Sequence, residues 1–363
     1  MVEHLYVHIP FCPKVCPYCS FYKETSDKNK TQAFLDAVLA EAREYSETLK
    51  PKTVFFGGGT PSALSTRQLD YLLGRLHRLI DFSAVTEWTL EMNPATVSLE
   101  KAELLLKHGV NRISMGVQSW DEKLLVALGR VHDRAQALRS YEILREAGVR
   151  NINLDFIFGI PGQTRETWEE TLRTTVSLRP EHISAYCLTY EEDTDFMKRL
   201  QSGAVRPDEE LDADLFEMTR DILAESDFAQ YEISNYSRLG KECLHNLAYW
   251  EGDDYVGLGP SAFSTVGARR WKNISDTAEY IRRVNEKLPV ADFEEELNDQ
   301  TRLAERIAFS LRTNRGIPQE LLAPYSSIVD GYVNLGLMQP ASGRWQLTRK
   351  GLLVADEIVE AFI

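Results

Sequence analysis

The sequence predicts an α/β fold built on a parallel sheet. Six short apolar runs rich in β-branched and aromatic residues recur between Leu5 and Thr189, and an amphipathic helical pattern follows each of them. Parallel strands need a crossover connection, and here every crossover reads as helix. The cap residues agree: Ser65 and Thr164 stand where helices should start, Gly109 and Gly148 where they should stop.

Taken in order, the predicted strands cover Leu5–Phe11, Thr53–Gly58, Glu87–Met92, Arg112–Gln118, Asn151–Phe158 and His182–Thr189. The first helix is read from Gln32 in "QAFLDAVLAEAREYSETL", where Phe34, Leu35, Val38, Leu39 and Ala42 fall on one face. A closed or partial barrel and an open doubly wound sheet both satisfy this pattern, and both carry their chemistry at the carboxyl ends of the strands. After about residue 230 the rhythm breaks. The segment from Tyr231 to Lys272 is rich in Tyr, Trp and Gly, lacks a helical period, and is expected to fold against the barrel mouth. From about Asn298 a helical run leads into "LMQPASGRWQLTRKGLLVADEIV", which reads as strand, turn, strand, helix, a winged-helix-like unit. The chain therefore divides at 1–230 and 231–363.

Composition narrows the function. With 363 residues, 43% of them hydrophobic, the chain can fill the cores of a large domain and a smaller one. No stretch approaches the roughly 20 apolar residues of a membrane helix, and no basic flank with an apolar run opens the chain, so a cytoplasmic protein is expected. A net charge of -14 repels a phosphate backbone. Residues 281–363, which hold the winged-helix-like unit, carry 10 Lys+Arg against 12 Asp+Glu, a net of -2. Nucleic acid is thereby set aside as a partner.

Three of the five cysteines, Cys12, Cys16 and Cys19, are spaced C-x3-C-x2-C on the loop after the first strand. Pro13 and Pro17 keep that loop out of helix, so the sulfurs can curl around one centre. A zinc site completed by His8, or three unconnected thiols, would be alternatives. His8 lies inside the strand, which argues against the first. A four-iron cluster normally takes four thiolates, so three leave one iron open, which suits a reactive cluster more than an electron carrier.

The later loops add groups to the same end of the sheet. "FFGGGTPS" brings Gly57, Gly58 and Gly59, which let backbone approach a ligand, followed by Thr60. Glu91 ends the third strand, where a ribose hydroxyl could be held. Gln118 ends the fourth, Arg130 follows in "LGRVHD", and Asp155 lies inside the apolar strand "INLDFIFGIPG". A buried charge needs a partner, and Arg130 is a candidate for Asp155.

The three-cysteine loop with Tyr18 before its last cysteine, together with "GGGTP", resembles the radical S-adenosylmethionine (SAM) superfamily. "YVHIPFC", "GGGTP", "GVQS", "GRVHD", "DFIFGIPGQT" and "GLGPSA" are similar, over nearly the whole chain, to the oxygen-independent coproporphyrinogen III oxidase-like group. The resemblance implies a partial (β/α)6 barrel, a [4Fe-4S] cluster on Cys12, Cys16 and Cys19, and SAM chelated at the open iron and cleaved to a 5′-deoxyadenosyl radical. Carried over by position, Tyr6 would lie beside SAM, Gly58, Gly59 and Thr60 would hold its amino-acid end, and Glu91 its ribose. Gln118, Arg130 and Asp155 match positions that touch a second SAM in the oxidase.

Two departures from the oxidase pattern stand out. Phe21 occupies the place of a fourth cysteine, and the sequence begins only eleven residues before Cys12, without the oxidase's N-terminal arm. Both match the HemW haem chaperone branch, whose "H-N-x-x-Y-W" is here His245, Asn246, Tyr249 and Trp250. The resemblance then implies a protein that binds haem and delivers it to recipient haem proteins, those of the respiratory chain among them. The alternative activity is coproporphyrinogen III dehydrogenation. His245, as axial ligand or as its orienting neighbour, with Cys243 as rival ligand, is expected near the barrel mouth; a satisfied polar residue is the structural alternative.

Overall fold

The computed structural model describes residues 1–25 and 28–362. Six parallel strands run in sequential order: β1 (Val2–Ile9), β2 (Leu49–Gly58), β3 (Glu87–Met92), β4 (Arg112–Gln118), β5 (Ile152–Phe158) and β6 (His182–Cys187). A doubly wound sheet would reverse its order, so this is a barrel wall. β1 and β6 do not pair with each other, so the barrel is partial. The helices between the strands include α1 (Lys28–Glu44), α2 (Thr66–Leu79), α3 (Leu99–Lys107), α4 (Arg134–Glu146) and α5 (Arg165–Ser177). Ser65 and Thr164 are N-caps, each in a reciprocal capping box, and Gly109 and Gly148 end their helices with positive φ.

Strand positions follow the period of two. Leu5, Val7 and Ile9, Val54 and Phe56, Trp88 and Leu90, and Leu154 and Phe156 are buried in one core cluster with Phe34, Leu35 and Val38 of α1. Their alternates are polar and face the barrel interior: His4, Tyr6 and His8, Thr53, Glu87 and Glu91, Arg112 and Ser114, Asn153 and Asp155. The first helix stops at Glu44, before the end expected for it, because Leu49 already opens β2. The first strand ends at Ile9, and Phe11–Cys12 instead pairs with Glu24–Thr25.

The region after residue 230 departs most from its reading. Beyond α6 (Glu209–Ala224), β7 (Asn235–Ser237) pairs antiparallel with β6. The Tyr- and Trp-rich segment contains a helix, α7 (Leu244–Glu251), and then β8 (Tyr255–Leu258), which pairs parallel with the free side of β1. β9 (Phe263–Val266), β10 (Arg269–Asn273) and, after the helix α8 (Thr277–Asn285), β11 (Ala291–Glu296) continue the same sheet. Two helical turns are too few to display a period, and the N-terminal amides of α7 are satisfied from elsewhere in the chain. Glu87 accepts the Leu244 and His245 backbone N–H at 2.9 and 3.1 Å and the Cys243 thiol at 3.4 Å. Glu87 opens β3, so α7 seats at the amino end of the strands. The Gly259–Ala262 turn does reach the carboxyl end, where a Cβ on Gly259 would come within 2.6 Å of the His8 carbonyl.

A second core gathers Ile307, Leu311, Leu322, Met338, Leu347 and Ile358. It joins α9 (Asp299–Leu311), α10 (Ser326–Asn334) and α11 (Ala355–Glu360) to a three-stranded antiparallel sheet of β12 (Ile317–Pro318), β14 (Arg344–Leu347) and β13 (Met338–Ala341), in that order.

One carboxylate holds the added strands to the barrel. Glu41 of α1, 2% exposed, accepts from Gly259 N (2.8 Å), Asn273 Nδ2 (2.7 Å) and Tyr280 Oη (2.6 Å). Burial pushes its pKa from 4.5 up to about 7 against these donors. The folded state therefore keeps the Glu41 proton to higher pH than the unfolded chain, and its stability falls as pH rises from about 4.5 to about 7. At ~1.4 kcal/mol per unit this amounts to something on the order of 3 kcal/mol. Thermal unfolding followed between pH 5 and pH 8 should show wild type losing midpoint with rising pH relative to Glu41→Gln; an equal pH dependence in both proteins would exclude the Glu41 contribution.

Candidate functional site

The carboxyl end of β1 dictates the geometry of the cysteine loop. His8 donates from Nε2 to the Tyr22 carbonyl (2.9 Å) and accepts at Nδ1 from the Tyr6 hydroxyl (3.0 Å). Both ring nitrogens are spent, and burial lowers the His8 pKa to about 4, so His8 completes no metal site. Among the described residues no group of three or more His, Cys, Asp or Glu side chains is gathered for a single ion.

Cys12, Cys16 and Cys19 are free, half-buried thiols on one loop. The Cys12 Sγ lies 3.5 Å from the Thr60 hydroxyl, and Cys16 Sγ accepts from Arg130 Nη1 at 3.5 Å. Lys23 donates to the Cys19 carbonyl. Burial raises the Cys12 and Cys19 thiols above their ordinary range. Three soft donors on one loop, not gathered on a single point and with Arg130 and Lys23 beside them, fit an anionic iron–sulfur cluster better than a neutral ligand. Phe21, at the place of a fourth cysteine, is 68% exposed.

The glycine run answers first to protein packing. Gly58 has φ +102°, and a Cβ there would lie 2.6 Å from the His8 ring; one on Gly59 would meet the Pro10 carbonyl at 2.6 Å. The Gly59 and Thr60 amides donate to the Ile9 and Phe11 carbonyls, both at 2.8 Å. These glycines let β2 pass under the cysteine loop. Tyr6 is pushed upward by burial first and by the Glu91 charge second.

Glu91 and Asp155 sit together inside the mouth. Glu91 keeps part of its surface open, yet loss of water around it, followed by the Asp155 charge, pushes it up to about 8. Asp155 is raised as well, by burial. Its oxygens accept from Ser114 Oγ (2.9 Å) and Asn153 Nδ2 (2.7 Å). The pairing of Asp155 with Arg130 is not formed, because Arg130 donates instead to the Gly116 carbonyl (2.7 Å) and to Cys16. Gln118 holds φ +71°, a strained conformation for a non-glycine residue at a strand end.

His245 lies elsewhere. Its Nδ1 meets Thr53 Oγ1 at 2.7 Å, its Nε2 meets the Tyr249 hydroxyl at 2.9 Å, and its ring stacks on Phe55 at 5.3 Å. Thr53 precedes Gly58 by five residues on β2, about 16 Å at ~3.3 Å per residue. The expected place of His245 at the barrel mouth is thus corrected to the opposite, amino end. The side chain is 1% exposed, and burial holds it neutral with a pKa near 3. Cys243 is fully buried on Glu87. Sequence reading missed Glu87, Arg112 and Glu41. Glu87 and Arg112 open their strands and Glu41 lies in the mixed stretch "AEARE", so none carries the signal of a charge within an apolar run that singled out Asp155.

Residues 6–175 match the model of the radical SAM superfamily. The chain is 34% identical to the haem chaperone HemW of Bacillus subtilis (strain 168), covering 100% of this chain and 99% of that protein. It is 32% identical to the haem chaperone HemW of Escherichia coli (strain K12), over 99% of this chain and 97% of the relative. Among solved structures it is similar to coproporphyrinogen III oxidase (HemN) from Escherichia coli, a radical SAM enzyme. That likeness has a TM-score of 0.87 at 25% identity, over 99% of this chain and 90% of that one.

The contact between the cysteine loop and the turn before Arg130 is testable. Gly129 has φ +68°, and a Cβ there would sit 2.7 Å from Pro17 Cδ. Gly129→Ala should push Pro17, and with it the cysteine loop, out of place. The expected result is a fall in iron and sulfide retained after anaerobic reconstitution, with helix content by circular dichroism unchanged; wild-type iron content would contradict the contact.

Proposed function

Because the chain belongs to the HemW haem chaperone family and carries a radical SAM domain, we propose that it binds haem and delivers it to recipient haem proteins. The observation that carries this reading is the full-length relation to haem chaperones at 31–34% identity across several bacteria. Recipients in the respiratory chain, and a cytoplasmic place of work, belong to the same proposal. In the described residues no helix is long and apolar enough to cross a membrane.

In this reading Cys12, Cys16 and Cys19 ligate a [4Fe-4S] cluster, and SAM occupies the mouth beside it. When bound, the two supply one-electron chemistry at the SAM sulfonium. The protein's own groups do the holding. Gly58, Gly59 and Thr60 face the amino-acid end of SAM, Tyr6 lies beside it, and Glu91 takes the ribose. With a pKa near 8, ligand-free Glu91 carries a proton at neutral pH and can both donate to and accept from a vicinal diol. Arg130 compensates negative charge at Cys16, while Gln118 and Asp155 line the same mouth. His245 orients Tyr249, which makes it a positioning residue at the amino end.

A second reading, coproporphyrinogen III dehydrogenase, is favoured by the likeness to HemN. Against it, Phe21 presents an exposed aromatic ring where the oxidase pattern has a thiol. Anaerobically reconstituted protein given coproporphyrinogen III and SAM should yield no protoporphyrinogen, and the same protein should take up haem and pass it to an apo-haemoprotein. Protoporphyrinogen formation would reverse the assignment. Cys16→Ala should abolish the cluster and Cys187→Ala should leave it intact. Glu91→Ala should weaken SAM binding by roughly ten- to a hundredfold, since unpaired hydroxyl donors cost about 1 to 3 kcal/mol; unchanged SAM affinity would place SAM elsewhere.

A further inference from the structure

At the amino end of the strands a cleft of about 590 Å³ opens between the barrel and the second core. Its walls come from the end of α7, the start of β8, β10 and α9. Tyr249, Tyr255, Phe309, Leu297, Leu303 and Leu321 supply the apolar and aromatic surface. The volume lies within the ~300–1,000 Å³ usual for small-molecule and cofactor sites. Tyr249 and Tyr255 meet edge to face at 4.6 Å, and Trp250 packs on Phe309 at 5.9 Å. A flat apolar ligand would meet rigid rings here.

Charge in the cleft is uneven. Two of its acids are paired with cations: Glu305 takes Arg270 in two bonds and Glu251 pairs with Arg315; Asp253 lies 3.5 Å from His4 Nε2, whose pKa burial lowers, and Asp299 sits at the positive start of α9. Arg302 and Arg306 stand one helical turn apart on α9. Arg302 donates to a neutral acceptor, the Gly267 carbonyl, and exposed Arg306 forms no ion pair with a described carboxylate. In a chain of net charge -14 two uncompensated guanidinium groups beside an aromatic cleft are suited to carboxylates. No His, Cys or Met is among the residues lining it.

We propose that this cleft, and not the His245 or Cys243 ligand atoms, holds the haem cargo: ring faces against the aromatic wall, carboxylates on Arg302 and Arg306, and no nitrogen or sulfur ligand on the iron. The inference rests on the haem chaperone reading above. It follows that recognition belongs to the porphyrin and not to its metal. An iron left without a nitrogen or sulfur ligand from this chain is also free to be captured by the recipient's own imidazole or thiolate.

The test is a titration of the full chain with ferric haem and, separately, with metal-free protoporphyrin. Wild type should bind both with affinities within about threefold, and its ferric spectrum should lack the low-spin histidine and thiolate signatures. Leu303→Trp, which fills the cleft, and the double charge reversal Arg302→Glu with Arg306→Glu should each weaken both ligands by at least about tenfold. Cys243→Ser should leave affinity and spectrum unchanged. If wild type binds haem while the cleft variants bind it equally well, or if Cys243→Ser or His245→Asn removes a thiolate or imidazole signature, the cleft assignment is overturned and the haem reading survives. If wild type binds neither ligand, both fall.

Discussion

Every polar side chain that points into the barrel must find a partner, and that constraint organises the molecule from end to end. Beyond the Glu3–Lys52 ion pair at the strand starts, the outward positions of the strands are apolar and need only helices over them. The inward positions carry His4, Tyr6, His8, Thr53, Glu87, Arg112, Asn153 and Asp155, groups that cost several kcal/mol if buried without hydrogen bonds. At the amino end the solution is internal. Glu87 accepts the first amides of α7, Thr53 lies between the rings of His4 and His245 at 2.8 and 2.7 Å, and α7 closes that end. Removing one member would leave the others unpaired in a dry interior.

At the carboxyl end the same constraint is left partly unmet. Glu91 and Asp155 face each other with raised pKa values, and the cysteine loop above them holds three free thiols. Perturbed acids in a cleft beside soft donors are the usual mark of a ligand site. The two ends therefore differ in kind: at one most inward groups bond to each other and to the first turn of α7, at the other raised acids and free thiols face an open mouth. This polarity explains why His245 and Cys243, chemically apt as ligands, are held in structure, while Cys12, Cys16 and Cys19 are held open.

Much of this was legible in the chain. The six strands, the caps at Ser65 and Thr164, and the stops at Gly109 and Gly148 are local signals: alternation, N-cap chemistry and left-handed glycines act within a few residues. The cysteine spacing is local too, and Glu91 could be placed at a strand end from its position alone. Sequence reading failed where partners are distant. Arg130 turned to Cys16 and Gly116 and not to Asp155, and α7 hid because its amides are capped by Glu87, far upstream. The glycines of "GGGTP" were read as letting backbone approach a ligand, while what comes close to Gly58 and Gly59 in the fold is His8 of β1 and Pro10 just after it.

By itself the sequence determined the order and type of the strands and helices up to about residue 230, and the three-cysteine loop, since these depend on periodicity and short-range sterics. Which end of the barrel each functional side chain occupies was decided only by the tertiary structure. The pairing of β8 with β1 turned the aromatic segment toward the amino end, and packing of α9 against it opened the cleft there. Parallel pairing between strands so far apart in the chain leaves no mark on the local pattern of either. Its direction follows from which arrangement buries the apolar faces while leaving the fewest polar groups alone.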